Sequence, residues 1–146
     1  MQDKIKLKGV GHFEIRDKIT GKVLDSWDCE NIITTDGDVQ TAKLLNGVDT
    51  TYFRAIAIGV GIVDAGAGDH TLGNENQRVL ATLTYSATAK AVFTATFTFG
   101  AGYAITEAGI LNNSTSGGVL LDRLVFTAKN VDVTTNLYVQ ITITSS

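Results

Sequence analysis

The feature that most constrains this chain is alternation with a period of two. Val79, Ala81, Leu83 and Tyr85 are separated by Leu80, Thr82 and Thr84. Ala91, Phe93, Ala95, Phe97 and Phe99 alternate with Val92, Thr94, Thr96 and Thr98, and Leu137, Val139, Ile141 and Ile143 alternate with Tyr138, Gln140, Thr142 and Thr144. Successive side chains of a strand point to opposite faces, so each run presents one face to a core and one to water. The first run reads as one strand over 77–88. At 146 residues the chain has the length of one domain able to bury roughly 70% of its unfolded surface. The reading is a single mainly β domain over residues 1–146: an antiparallel β-sandwich or jelly-roll-like fold with one short helix.

Other segments fit that frame. Val10–Arg16 and Lys22–Cys29 flank Asp17-Lys18-Ile19-Thr20-Gly21, a hairpin in which Asp17 bonds into the turn and Gly21 takes a left-handed conformation. Asp36 or Thr35 can cap a helix at about 37–46 carrying Val39, Ala42, Leu44 and Leu45 and stopping at Asn46-Gly47. Phe53–Val60 is a short apolar strand, followed by a long loop rich in Gly and Asp at about 61–76. Tyr103–Leu111 and Val119–Thr127 form a further hairpin around Asn112–Gly118. A loop centred on Thr115 sets Glu107 opposite Arg123 and Ile105 opposite Val125, with Ala108, Ile110, Leu120 and Leu124 on the other face. Apolar on both sides, this hairpin needs cover on both sides from the helix, the long loop or another subunit.

The residues do not assemble chemistry. Two histidines, His12 and His70, come without a nucleophile motif. Gly59-Val60-Gly61 and Gly66-Ala67-Gly68 lack the Lys-Ser/Thr or helix-opening context of a phosphate loop. Asp64, Asp69 and His70, or Asp36 and Asp38, could hold a cation, but capping and turn formation account for them and no EF-hand spacing is present. The lone Cys29 makes no internal disulfide and reads as a buried apolar residue. Twelve basic against fifteen acidic residues, net −3, argue against direct nucleic-acid binding. No apolar run is long enough to span a bilayer, and Met1–Lys8 lacks the apolar stretch of a signal peptide. The expectation is a non-enzymatic protein without cofactor or metal, made in the cytoplasm. Glu107 and Arg123 read as an ion pair fixing strand register, or as the lining of a groove or subunit contact.

Taken in order, several pieces resemble the small virion structural proteins of tailed bacteriophages. They are Thr20-Gly21-Lys22, Glu30-Asn31-Ile32-Ile33-Thr34, Gly37 before a helix ending in Leu44-Leu45, and Ile56-Ala57-Ile58-Gly59. Thr71-Leu72, Glu75 with Arg78, Glu107-Ala108-Gly109-Ile110-Leu111, Gly117-Gly118-Val119-Leu120 and Arg123 through Phe126 follow. The resemblance covers residues 10–143. It implies a capsid-decorating or auxiliary head protein of the virion, or a neck, tail or fibre-base component. It also implies a homo-oligomer, trimer or dimer, bound to the major capsid protein or other virion proteins through repeated contacts. Glu107, Arg123, Arg78, Ile110 and Leu120 are the structural or interface candidates. A carbohydrate- or receptor-binding β-sandwich is the alternative from another class, with exposed aromatics as its requirement.

Overall fold

The computed structural model describes residues 6–146; residues 1–5, which open the segment read above as lacking a leader's apolar stretch, lie outside the described residues. Strands β1 (Leu7–Asp17), β2 (Val23–Glu30), β3 (Ile32–Ile33), β4 (Ala55–Gly59), β5 (Glu75–Leu80), β6 (Thr82–Ser86), β7 (Lys90–Thr98), β8 (Tyr103–Leu111), β9 (Asp122–Val131) and β10 (Thr135–Ser145) surround one helix, α1 (Thr35–Leu45). They form two five-stranded sheets. The first runs β2-β1-β10-β7-β6 and the second β3-β9-β8-β4-β5, with every pairing antiparallel. The architecture is the β-sandwich that the alternation requires.

Between the sheets the inward faces meet as one apolar core. Phe13, Phe93, Phe97, Leu137, Val139 and Ile141 come from the first sheet, and Ile56, Ile58, Ile105, Ala108, Ile110 and Leu124 from the second. Trp27 stacks on Phe13 at 5.2 Å between ring centroids, and Phe126 tilts against both rings. This aromatic cluster closes the core beside the edge strand β2.

The turn between β1 and β2 forms as expected: Asp17 Oδ1 accepts from the Ile19 and Thr20 amides, and Gly21 takes a positive φ. Helix α1 starts two residues earlier than expected. Its N-cap is Thr34, whose hydroxyl accepts from the Gly37 amide at 2.8 Å and donates to the Leu120 carbonyl. The helix presses on the chain through Gly37, where an added methyl would strike the Leu121 backbone. Gln40 is buried and donates to the Thr51 carbonyl, whereas Val39, Ala42 and Leu45 stay exposed. The apolar helix face read from the sequence is therefore only partly used, with Leu44 packed against the core.

Two further expectations are corrected. The alternating run from Val79 to Tyr85 is two strands, because the chain breaks at Ala81 and passes from the second sheet into the first. Ala81 donates its amide to the Arg54 carbonyl, which holds the corner. The hairpin register is also shifted by two residues: Glu107 lies opposite Val125 and Ala108 opposite Leu124, with an irregularity between Ile105 and Glu107. Beyond it Leu111 bridges to Leu120, flanked by bonds from the Asn112 amide to the Val119 carbonyl and from the Leu121 amide to the Ile110 carbonyl, so the connecting loop is residues 113–118.

Candidate functional site

The outer face of the second sheet carries the most densely connected polar cluster among the described residues. Glu107 and Arg123 both belong to it. Although no longer directly opposite, they meet along the diagonal between β8 and β9, within reach of long side chains. Arg123 Nε donates to Glu107 Oε1 at 3.0 Å, and both side chains are almost wholly buried.

Each remaining polar atom of the pair reaches into the loop between β4 and β5. Glu107 Oε2 accepts from the Gly61 amide at 2.6 Å and the Asn74 amide at 2.8 Å, and Oε1 also accepts from the Gly73 amide at 2.7 Å. Arg123 Nη1 donates to Asp69 Oδ2 at 3.0 Å and to the Asp64 carbonyl at 3.3 Å, and Nη2 to the Val63 carbonyl at 2.8 Å. The guanidinium fork thus grips the loop at residues 63, 64 and 69, and the carboxylate its two ends. Glycine is needed at position 61, because any side chain there would collide with the Glu107 carboxylate. Burial pushes the Glu107 carboxyl up, but the amides of Asn74, Gly73 and Gly61 and the Arg123 guanidinium outweigh it and hold the group below the ordinary glutamate range. Asp69 is likewise held low: the Gly66 amide and Arg123 outweigh its burial.

Two more ties fix the loop. The Thr35 amide donates to the Ala67 carbonyl, and His70 Nδ1 lies 2.5 Å from Asp36 Oδ2, which raises the imidazole's pKa. Leu72 turns inward and forms a small second cluster with Ala57, Leu111 and Leu120 on the outer side of the sheet. Next to the Gly61 anchor, the Ile62 and Val63 side chains point outward, 87% and 68% exposed.

Arg78, on β5, does for the second loop what Arg123 does for the first. Its side chain is nearly buried and binds Glu75 through two nitrogens, at 3.1 and 2.6 Å. Its third nitrogen donates to the carbonyls of Asn113 and Gly117 at 2.9 and 2.8 Å. The two loops together cover the outer face of the second sheet, which answers the need for cover on both sides of the β8–β9 hairpin. Ile110 and Leu120, placed on one face by the sequence, lie on opposite sides: Ile110 in the main core, Leu120 in the outer cluster. Leu120 pairs with Leu111 and shares its outer face, because the register slips between the Ala108–Leu124 pair and the Leu111–Leu120 bridge.

One buried acid was missed by the sequence reading. Asp122 is completely buried at the start of β9; Oδ1 accepts from the Ile110 amide at 2.9 Å and Oδ2 from Asn31 Nδ2 at 2.7 Å. Burial pushes its carboxyl up to about 6, against the pull of Asn31 and Ile110. Asn31 in turn accepts from the Gly9 amide, so one carboxylate links β1 to the β8–β9 hairpin. The available signal was an acid set beside Arg123 inside the otherwise apolar run from Val119 to Phe126.

On the outer face of the first sheet, His12 bridges two carboxylates, Asp28 through Nδ1 at 2.6 Å and Glu14 through Nε2 at 2.8 Å. Glu14 also receives two bonds from Arg16, which lies over the Tyr138 ring. Hydrogen bonds donated to Glu14 and Asp28 raise the His12 pKa, and His12 and Arg16 lower that of Glu14. This row is partly solvated and holds strands side by side. Cys29 is half-buried against the core, with its thiol pushed up by burial. Among the described residues, no three His, Cys, Asp or Glu side chains gather as a metal site would, and no helix is long and apolar enough to cross a membrane.

The arrangement fastens the two loops to the sheet by burying charge beneath them. Compared with protein families, curated proteins and solved structures, the chain matches none.

Proposed function

We propose that this chain is a non-enzymatic structural protein of a tailed-bacteriophage virion, a capsid-decorating or auxiliary head protein that binds the shell through repeated protein–protein contacts. The observation that carries the reading is the loop over residues 60–74. Its backbone is fastened to Glu107, Arg123 and Thr35, while Ile62 and Val63 are held out in water. A loop that exposes two branched apolar side chains from a preordered backbone loses little entropy on docking, as suits an element that recognises another protein. The ordered sequence resemblance to virion proteins supplies the partner class: the major capsid protein or another virion protein.

The test is to purify the protein, measure its mass by light scattering, and mix it with expanded empty heads that lack it. The expected result is saturable co-sedimentation with the heads, abolished by Ile62→Asp with Val63→Asp while the melting temperature is unchanged. A well-folded protein that ignores the heads overturns the decorating role and moves the reading to the neck, tail or fibre base.

A further inference from the structure

Of the four sheet edges, three carry features that discourage pairing with another chain. Strand β2 bears Asp25, Asp28 and Glu30 and a register shift against β1; β3 is only two residues long and leaves β9 open beyond Arg123, where β9 bears Lys129 and an irregularity against β8; and β5 bears Glu75 and Arg78 with an irregularity against β4. Charges, shortness and bulges are the usual means of protecting an edge. Strand β6 has none of them. Its sequence, Thr82-Leu83-Thr84-Tyr85-Ser86, holds no charge, glycine or proline, it pairs with β7 without interruption, and all five residues are exposed. Among the described residues no strand pairs with its second side.

The geometry points to β6 as the strand through which two copies of this chain join, antiparallel and edge to edge, about a twofold axis at Thr84. In that register Thr84 faces its own copy, Leu83 faces Tyr85 of the second copy, and Thr82 faces Ser86. The segment is complementary to itself: apolar meets apolar on one face, hydroxyl meets hydroxyl on the other, and no like charges are opposed. The same operation applied to β2 would set carboxylates against carboxylates. Leu83 and Tyr85, 42% and 78% exposed, lie toward the core side of the sheet, where Leu83 pairs across with Phe93 and Tyr85 with Ala91. Pairing would set each against its counterpart in the second copy, and would supply partners for the unpaired backbone groups of the edge. A contact of this kind is isologous and closes at two copies. It stands whether or not the protein decorates a head.

The experiment is a charge swap followed by light scattering over a concentration series, with circular dichroism to establish folding. Wild type is expected to approach twice the monomer mass. Leu83→Lys with Tyr85→Lys puts lysine opposite lysine twice across the axis, and the dissociation constant should rise at least about tenfold. Leu83→Glu with Tyr85→Glu should do the same. Mixing the lysine and glutamate variants should restore the dimer, because each lysine then meets a glutamate. A wild type that stays monomeric, a lysine variant that dimerises as wild type does, or a mixture that fails to recover would each overturn the proposal.

Discussion

On the second sheet, Glu107 and Arg123 lie beneath a loop with every hydrogen-bonding direction of the carboxylate occupied. On the first, His12, Glu14, Arg16 and Asp28 make ion pairs of equal or shorter length in view of solvent. Water screens the second group and replaces its bonds at small cost, whereas a charge stranded under the loop has no substitute partner. Distance alone therefore does not rank these contacts. Burial decides which charges hold the molecule together.

The largest expected effect comes from stranding one buried charge. Arg123→Ala should lower stability by about 3–5 kcal/mol, a fall of roughly 10 °C in melting temperature at this chain length. It should also open the 60–74 loop to proteases under native conditions. If the pairing matters through desolvation, Glu107→Gln combined with Arg123→Met should recover part of that loss. A double variant as unstable as the single would locate the cost in lost packing instead.

Asp122 gives the next effect, read by titration. Folding raises its pKa from 3.8 to about 6, so the folded state holds the proton more tightly than the unfolded chain. Stability should therefore increase as pH falls from about 6 toward 4, by up to about 3 kcal/mol. Glu107 and Asp69 act in the opposite sense: their depressed pKa values give stability that is lost as pH falls through and below the ordinary carboxylate range. Denaturant titrations from pH 8 to pH 3 should find a maximum on the mildly acidic side, and Asp122→Asn should flatten the rise that precedes it.

The smallest effect is at His12. Its raised pKa means that its stabilisation is present below pH 6.5 and lost as pH rises through the folded value. Solvent screening limits the amount to less than about 0.5 kcal/mol. Melting of His12→Gln at pH 5.5 and pH 8 should differ from wild type by a degree or less, roughly. A loss comparable to that of Arg123→Ala would erase the contrast between the two faces.

Much of this was legible in the sequence, and the parts that were not share a cause. Alternation identifies β7 and β10 and the sandwich itself, because period two is a local property. It also runs unbroken through Ala81, where the chain changes sheets; a corner preserves alternation and so leaves no trace in it. The pairing of Glu107 with Arg123 survived a register error of two residues because the diagonal across two strands is still within reach of an arginine. Asp69 as a third member was not visible, since the loop that delivers it has no period. The exposure of Leu83 and Tyr85 was hidden for the opposite reason: alternation gives the direction of a side chain but not whether anything lies above it.

The pairing of β1 with β10 over eleven residues, from Leu7 with Ser145 to Asp17 with Thr135, has a kinetic consequence. Strand β10 sits in the middle of the first sheet, between β1 and β7, so that sheet cannot close until residue 145 has left the ribosome. Closing so long a loop carries an entropic barrier that must be crossed before most of its contacts reward it. Until β10 pairs, β1 and β7 each lack the neighbour that covers that side in the folded sheet, so either strand, if it forms early, has an open edge.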